Sequence, residues 1–350
     1  MSMFDDVLGL GRSSVTESMT DETFEPEIEG MTLEEAEMLD ESTDPMDFIL
    51  QIAYENEMNM MKLDAAIVAE EYMYLRENGE EMVTEAGKIE SVVNKFKQGV
   101  QWLWGKIQSF FKTVMNKLDA ALKLDQRFLD KYEKKAAGKT GKAKGDEYLF
   151  NVGEISSSGI RVLDDLAKAG DVVKKLIDAD QEVDFKLTMK SIRLDVMMTG
   201  DENVSEKDML KAMVKGYKEG REVAAFSADK AITAFKASKD AKASLKKAYN
   251  SNKKGINAQL KAAKTMESKA KKLKVIPTET SKSIHQGVKV LNKIGTIMTM
   301  TNRTYVKLIN MSRSFCKAVI VAAAAKDVKA PSATGESASL IDGIEFGMTM

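Results

Sequence analysis

Apolar and polar positions along the chain divide it into stretches of different character. Residues 1–43 are polar and acidic, and "SSVTESMTDETFEPEIEG" follows neither a helical nor a strand period, so this segment is expected to be a disordered tail or propeptide. Order is expected from Asp44-Pro45, an N-cap followed by proline at the first helical position, where its missing N–H removes nothing. Ile49, Ile52, Met60, Leu63 and Ile67 then recur at helical spacing up to a stop at Asn78-Gly79. A second helix is predicted from about Glu80 to Lys135. Its seam of Val93, Phe96, Val100, Leu103, Ile107, Phe110 and Val114 steps by three and four residues, as in a helix bundle. Residues 44–136 thus read as a helical hairpin, and the Gly/Lys stretch 137–147 reads as a linker.

Residues 148–200 are a small helical or mixed segment. In it "SSSGIRVLDDLAKAGDVVKKLIDA" predicts a serine-capped helix, whereas "VDFKLTMKSIRLDVMM" fits strand or helix equally. Ser205, with Asp208 three residues on, opens a basic long-helix region, 201–329. Residues 206–275 should form one or two helices broken near "NSNKKG". A last helix should start near Ser281, with Ile284, Val288, Leu291, Ile294, Met298, Tyr305, Leu308, Phe315 and Ile320 on or near one face. Residues 330–350 read as a flexible tail, and no short repeat of fixed period emerges.

Composition strengthens this reading. With four prolines and only 7% aromatic residues, the fold class is all-α, an elongated multi-helix bundle of long amphipathic helices behind a disordered acidic N-terminal tail. A chain of 350 residues is long enough to bury a sizeable core. Cys316 is the only cysteine, which rules out an internal disulfide framework and suits a reducing cytoplasm or a particle assembled there. "MSMFDDVLGLG" is acidic where a secretory signal would be basic, so no signal peptide is expected. No apolar run approaches the roughly 18–20 residues of a simple membrane span.

The formal net charge of -2 conceals a segregation of signs. Residues 1–90 hold 25 acids against 4 bases, and the remainder holds 29 acids against 48 bases. This asymmetry predicts an acidic tail with a basic binding body, or two ends that neutralise one another.

Catalytic constellations are missing from the pattern. The only histidine, His285, lacks a second at helical spacing and is expected on a helix surface. Acids such as Glu55, Glu57, Asp64, Glu70 and Glu71 lack the Glu-x-x-His signature of helical di-metal sites. Gly138-Lys139-Thr140 imitates the end of a phosphate-binding loop, but the required earlier glycine is Glu133. No nucleophile elbow or Cys/His pairing is present, so neither an enzyme nor a cofactor is expected.

Two surfaces stand out instead. Trp102, Trp104, Phe110 and Phe111, flanked by lysines, predict burial against partner helices or, as the sharper alternative, insertion into a membrane interface. Lys242, Lys246, Lys247, Lys253, Lys254, Lys261, Lys264, Lys271 and Lys272 lie in a stretch with 19 bases against 7 acids. They would neutralise nucleic-acid phosphates without reading bases, or merely balance the acidic N-terminus.

The stretch "STDPMDFILQIAYENEMNMMKLDAAIVAEEYMYLRENGEEM", followed by a helix rich in Lys, Trp and Phe, resembles virion structural and internal head proteins of large tailed bacteriophages. The resemblance covers roughly residues 42–118. It implies a helical protein of the virion, in the phage head and assembled in the host cytoplasm. Its implied partners are other virion proteins and packaged double-stranded DNA. It also implies a head maturation protease that cuts after Leu-x-Glu before a small residue. Leu33-Glu34-Glu35-Ala36 and Leu39-Asp40-Glu41-Ser42 match that pattern, which makes Glu35, Ala36, Glu41 and Ser42 the expected processing positions. An assembly scaffold, or an ejected protein that acts on membranes through the amphipathic helix 92–118, are the alternatives.

Overall fold

The computed structural model describes residues 83–203, 223–272 and 275–325, together with Glu55, Met58, Ser205 and residues 207–209. The expected acidic tail, its processing positions, nearly all of the first long helix and the segment 330–350 lie outside the described residues. In chain order the elements are β1 (Val83–Glu85), α1 (Ala86–Ala136), β2 (Thr140–Lys144), a 3-10 turn (Glu147–Phe150), α2 (Val152–Asp178), α3 (Phe185–Ile192), α4 (Leu194–Thr199), β3 (Val223–Ser227), α5 (Ala228–Ala237), α6 (Ala241–Lys272), β4 (Val275–Pro277) and α7 (Thr278–Ala325). The fold is all-α, with two short two-stranded ribbons, β1 with β4 and β2 with β3.

Four long helices make the bundle: α1 and α2 each pack against both α6 and α7. Contacts along the pairs set their directions. Lys97 meets Glu267 and Asp119 meets Lys242, so α1 and α6 are antiparallel. Asp164 meets Ser251 while Lys269 reaches the carbonyl of Ile177, so α2 and α6 are parallel. Gly159 lies against Tyr305, and Gly287 lies against Val173 and Ile177, so α2 and α7 are antiparallel. The result is an up-down-down-up bundle, and the parallel step from α2 to α6 requires a long return through the segment between them.

All seven seam residues predicted for α1 are buried, and so are those of α7 except the half-buried Leu308. Each fully buried aliphatic or phenyl side chain contributes about 1.5–3 kcal/mol relative to exposure, so both rows stabilise the bundle. Across the diagonal, Asn252 and Asn302 exchange side-chain hydrogen bonds of 2.9 Å in each direction, which satisfies two fully buried amides and fixes the register of α6 on α7.

Several expectations are corrected. Residues 137–147, read as a linker, include β2, which pairs with β3 from Thr140↔Ser227 to Lys144↔Val223. Gly141 lies so close to α7 that a Cβ there would stand 2.0 Å from the carbonyl oxygen of Val319. Glycine here permits close approach of the strand to α7. This end shares one apolar cluster with α1, α5 and α7, including Leu129, Phe226, Phe235 and Phe315. The helix expected to start at serine starts at Val152, leaving Ser156 buried inside α2. The ambiguous stretch is helical: Asp184 caps α3 by accepting from the Leu187 N–H, and left-handed Arg193, φ 56°, separates α3 from α4. Helix α6 runs unbroken through "NSNKKG", because Gly255 is buried against Met298 and Ala167. The capping arrangement at Ser205 forms as expected, its hydroxyl accepting from the Asp208 N–H at 3.3 Å.

His285 is buried, contrary to its expected surface position. Helix α7 also differs from expectation, since it contains an 18-residue window long and apolar enough to cross a membrane by length and composition. Half of that window is buried inside the bundle, as befits a core helix. Two of its buried hydroxyls are satisfied locally: Thr299 and Thr301 donate to the carbonyls of Gly295 and Ile297.

Candidate nucleic-acid interface

Helix α6 carries ten lysines and one acidic residue, Glu267. Its buried positions, among them Leu245, Ala248, Asn252, Ile256, Ala263 and Met266, recur at helical spacing and face the bundle. At 100° per residue, the nine lysines singled out in the sequence fall on the opposite arc. Packing of an alanine-rich inner face against α1, α2 and α7 therefore presents the lysines outward.

Three of the nine are engaged by carboxylates of the bundle itself. Lys242 pairs with Asp119 at 2.8 Å, Lys254 with Asp164 at 3.9 Å, and Lys271 with Glu267 at 2.7 Å and Glu90 at 3.1 Å. Hydrogen bonds from Lys271 and then Lys97 hold the Glu267 carboxyl below the usual glutamate range, and the same contact raises the Lys271 ammonium. Lys253 is half-buried, whereas Lys246, Lys247, Lys261, Lys264 and Lys272 are exposed and make no ion pair among the described residues. The tenth lysine, Lys269, has a different task. It donates to the Ile177 and Asp178 carbonyls at 2.5 and 3.3 Å and pairs with Asp180 at 2.6 Å, closing the C-terminal end of α2. Glu267, four residues before Lys271, is legible as a partner in the sequence, whereas Asp119, Asp164 and Glu90 are not, because they lie on α1 and α2, far from α6 along the chain.

The aromatic group is mostly core. Trp104 and Phe111 pack on Tyr249 with ring centroids 5.2 and 5.8 Å away, and Phe110 meets Phe111 edge-on at 5.4 Å. Trp102 is the exception, half-buried beneath Lys106, whose ammonium lies 5.6 Å from the ring centroid and 3.6 Å from Glu55. Of the two expectations for Trp104, Phe110 and Phe111, burial against neighbouring helices is the one observed, since α6 and α7 close the seam. At the imitation phosphate loop, the Gly138 N–H donates to the Asp229 carboxylate at 3.0 and 3.3 Å, so an internal acid holds the place of an anion. Among the described residues no group of three or more His, Cys, Asp or Glu is arranged to hold a metal.

No protein-family model, curated protein or solved structure matches this chain. The chemistry of the α6 face is thus the main guide to function.

Proposed function

We propose that this protein is a non-enzymatic structural component of a tailed-phage particle, internal to the head, that associates with packaged double-stranded DNA through α6 once its acidic N-terminus is removed. The observation that carries the reading is the outward lysine face of α6, where five exposed ammonium groups make no ion pair among the described residues. Such a surface exchanges counterions for phosphates and is indifferent to sequence. The resemblance of residues 42–118 supplies the particle. The charge segregation supplies the logic of processing: residues 1–41 contain 13 acids and one arginine, so a cut after Glu41 converts a chain of net charge -2 into one of +10.

The membrane-active alternative loses most of its support, since three of its four aromatic residues are occupied in the core. Intact-mass and N-terminal peptide analysis of the protein from purified mature particles tests the proposal. An N-terminus at Ser42 or Ala36 is the expected outcome. A full-length chain in mature particles would remove the processing step, and absence from them would favour a scaffold that leaves during maturation.

A further inference from the structure

Helices α1 and α7, 51 and 48 residues long, are parallel neighbours: Asp125 meets Arg313, and one turn further Phe128 meets Lys317. Their facing rows are apolar and step by three and four residues, a pattern that looks alike after a slide of one heptad. A pair of charges interrupts both rows. Asp125 stands between Leu118 and Tyr132, seven residues to either side, and Arg313 stands between Val306 and Ile320 at the same spacing. Both are buried, Asp125 with 6% and Arg313 with 7% of its surface exposed.

The pair is incompletely satisfied. Arg313 Nη2 donates to Asp125 Oδ2 at 2.6 Å, but Arg313 Nε has no hydrogen-bond partner among the described residues. Asp125 Oδ1 has the Lys317 ammonium 3.4 Å away, without a hydrogen bond. Lys317 is itself held by the rings of Phe128 on α1 and Phe235 on α5, 5.6 Å from each centroid. Two charges withdrawn from water with a donor and an acceptor left over gain little over apolar side chains of similar volume, so stability does not account for them. They do discriminate between alignments. A slide of seven residues, about 10.5 Å along the axis, sets Asp125 against Val306 or Ile320 and Arg313 against Leu118 or Tyr132, each charge buried without its partner.

We propose that Asp125 and Arg313, braced by Lys317, form a register clasp, a conformational device that admits one alignment of α1 on α7. The clasp thereby fixes where α5 and the β2–β3 ribbon close on the end of the bundle. Gly141 and Gly145 of this end lie against Val319 and Phe315 of α7, while three residues tie β2 to the end of α1. A slide of α7 would therefore move one side of these close approaches while α1 holds the other. The inference does not depend on DNA association.

The test uses the full-length chain carrying Cys316→Ala, with spin labels at Arg127→Cys on α1 and Ser314→Cys on α7, both exposed positions. Pulsed electron resonance reads the distance between the labels, and thermal melting is followed beside it. The parent should give a single distance. Asp125→Leu alone or Arg313→Met alone should lower the melting temperature by about 5 °C or more, since each leaves a buried charge without its partner. The double variant Asp125→Leu/Arg313→Met should melt at or above the parent and show a second distance population. The swap Asp125→Arg/Arg313→Asp keeps opposite charges face to face and should give the single distance again. A single distance in the double variant would overturn the clasp, because apolar packing alone would then set the register. So would a double variant as unstable as the single ones, which would make the pair a source of stability rather than of discrimination. A swap that gives two distances, or no defined distance, would overturn it as well.

Discussion

Glycine illustrates how much one residue's meaning depends on its neighbours. Gly170 and Gly105 both sit inside long helices, in "AKAGDVV" and "LWGKI", and look alike as sequence. A Cβ on Gly170 would lie 2.5 Å from the backbone carbon of Ala258, whereas a Cβ on Gly105 meets nothing within 4 Å. Backbone cannot move aside like a side-chain tip, so Gly170→Ala should force α2 off α6 and cost about 1–3 kcal/mol. Gly105→Ala should instead stabilise by about 0.5–1 kcal/mol, through the higher helix propensity of alanine. Urea unfolding of the two variants checks both signs, and equal effects would refute the close-approach argument. Similarly, burial raises the Cys316 thiol to about 12, so this cysteine is a small apolar core residue rather than a reactive one.

At the scale of elements, the edge between α1 and α6 is closed by charge above an apolar seam. Lys97 and Lys271 converge on Glu267, and Lys269 with Thr280 converges on Asp180 beside the end of α2. Hydrogen bonds from these lysines depress both carboxyls, so the folded chain binds fewer protons there than the unfolded chain. Their contribution is present above the ordinary carboxylate range, about pH 4, and is lost as pH falls through the lowered values. Melting temperature should therefore fall on acidification below about pH 5, and Glu267→Gln should flatten that fall while lowering stability near neutrality. Superimposable pH profiles for parent and variant would remove Glu267 from the account. The long helices themselves were legible, because steps of three and four residues along α1 and α7 survive any change of partner. The β2–β3 ribbon was not legible, since its two strands are brought together only when α1, α5 and α7 converge on one apolar cluster.

For the molecule as a whole, charge is the property that processing would change most. Removing residues 1–41 takes away 13 acids and one base. The shortened chain should bind duplex DNA more tightly than the full chain at every salt concentration, with the difference shrinking as salt rises. Anisotropy measurements on the two forms decide this, and identical affinities would show that the acidic segment has no influence on the α6 face. The bundle topology bears on the same surface. Because α2 and α6 are parallel neighbours, α6 is inserted between α1 and α2 with only one arc left to solvent, and that arc is where the lysines lie.

Local information in the chain determined the helical class, the buried seams of α1 and α7, the capping at Ser205 and the candidate lysines, because helix periodicity and end chemistry depend on residues a few positions apart. The tertiary structure decided what these features face. It turned a Gly/Lys linker into a paired strand, carried Trp104, Phe110 and Phe111 into the core, and buried His285. It also assigned three lysines to internal carboxylates and left five exposed without ion pairs among the described residues. The physical reason is the same in each case: burial and neutralisation are relations between surfaces distant along the chain, and they exist only once those surfaces have met.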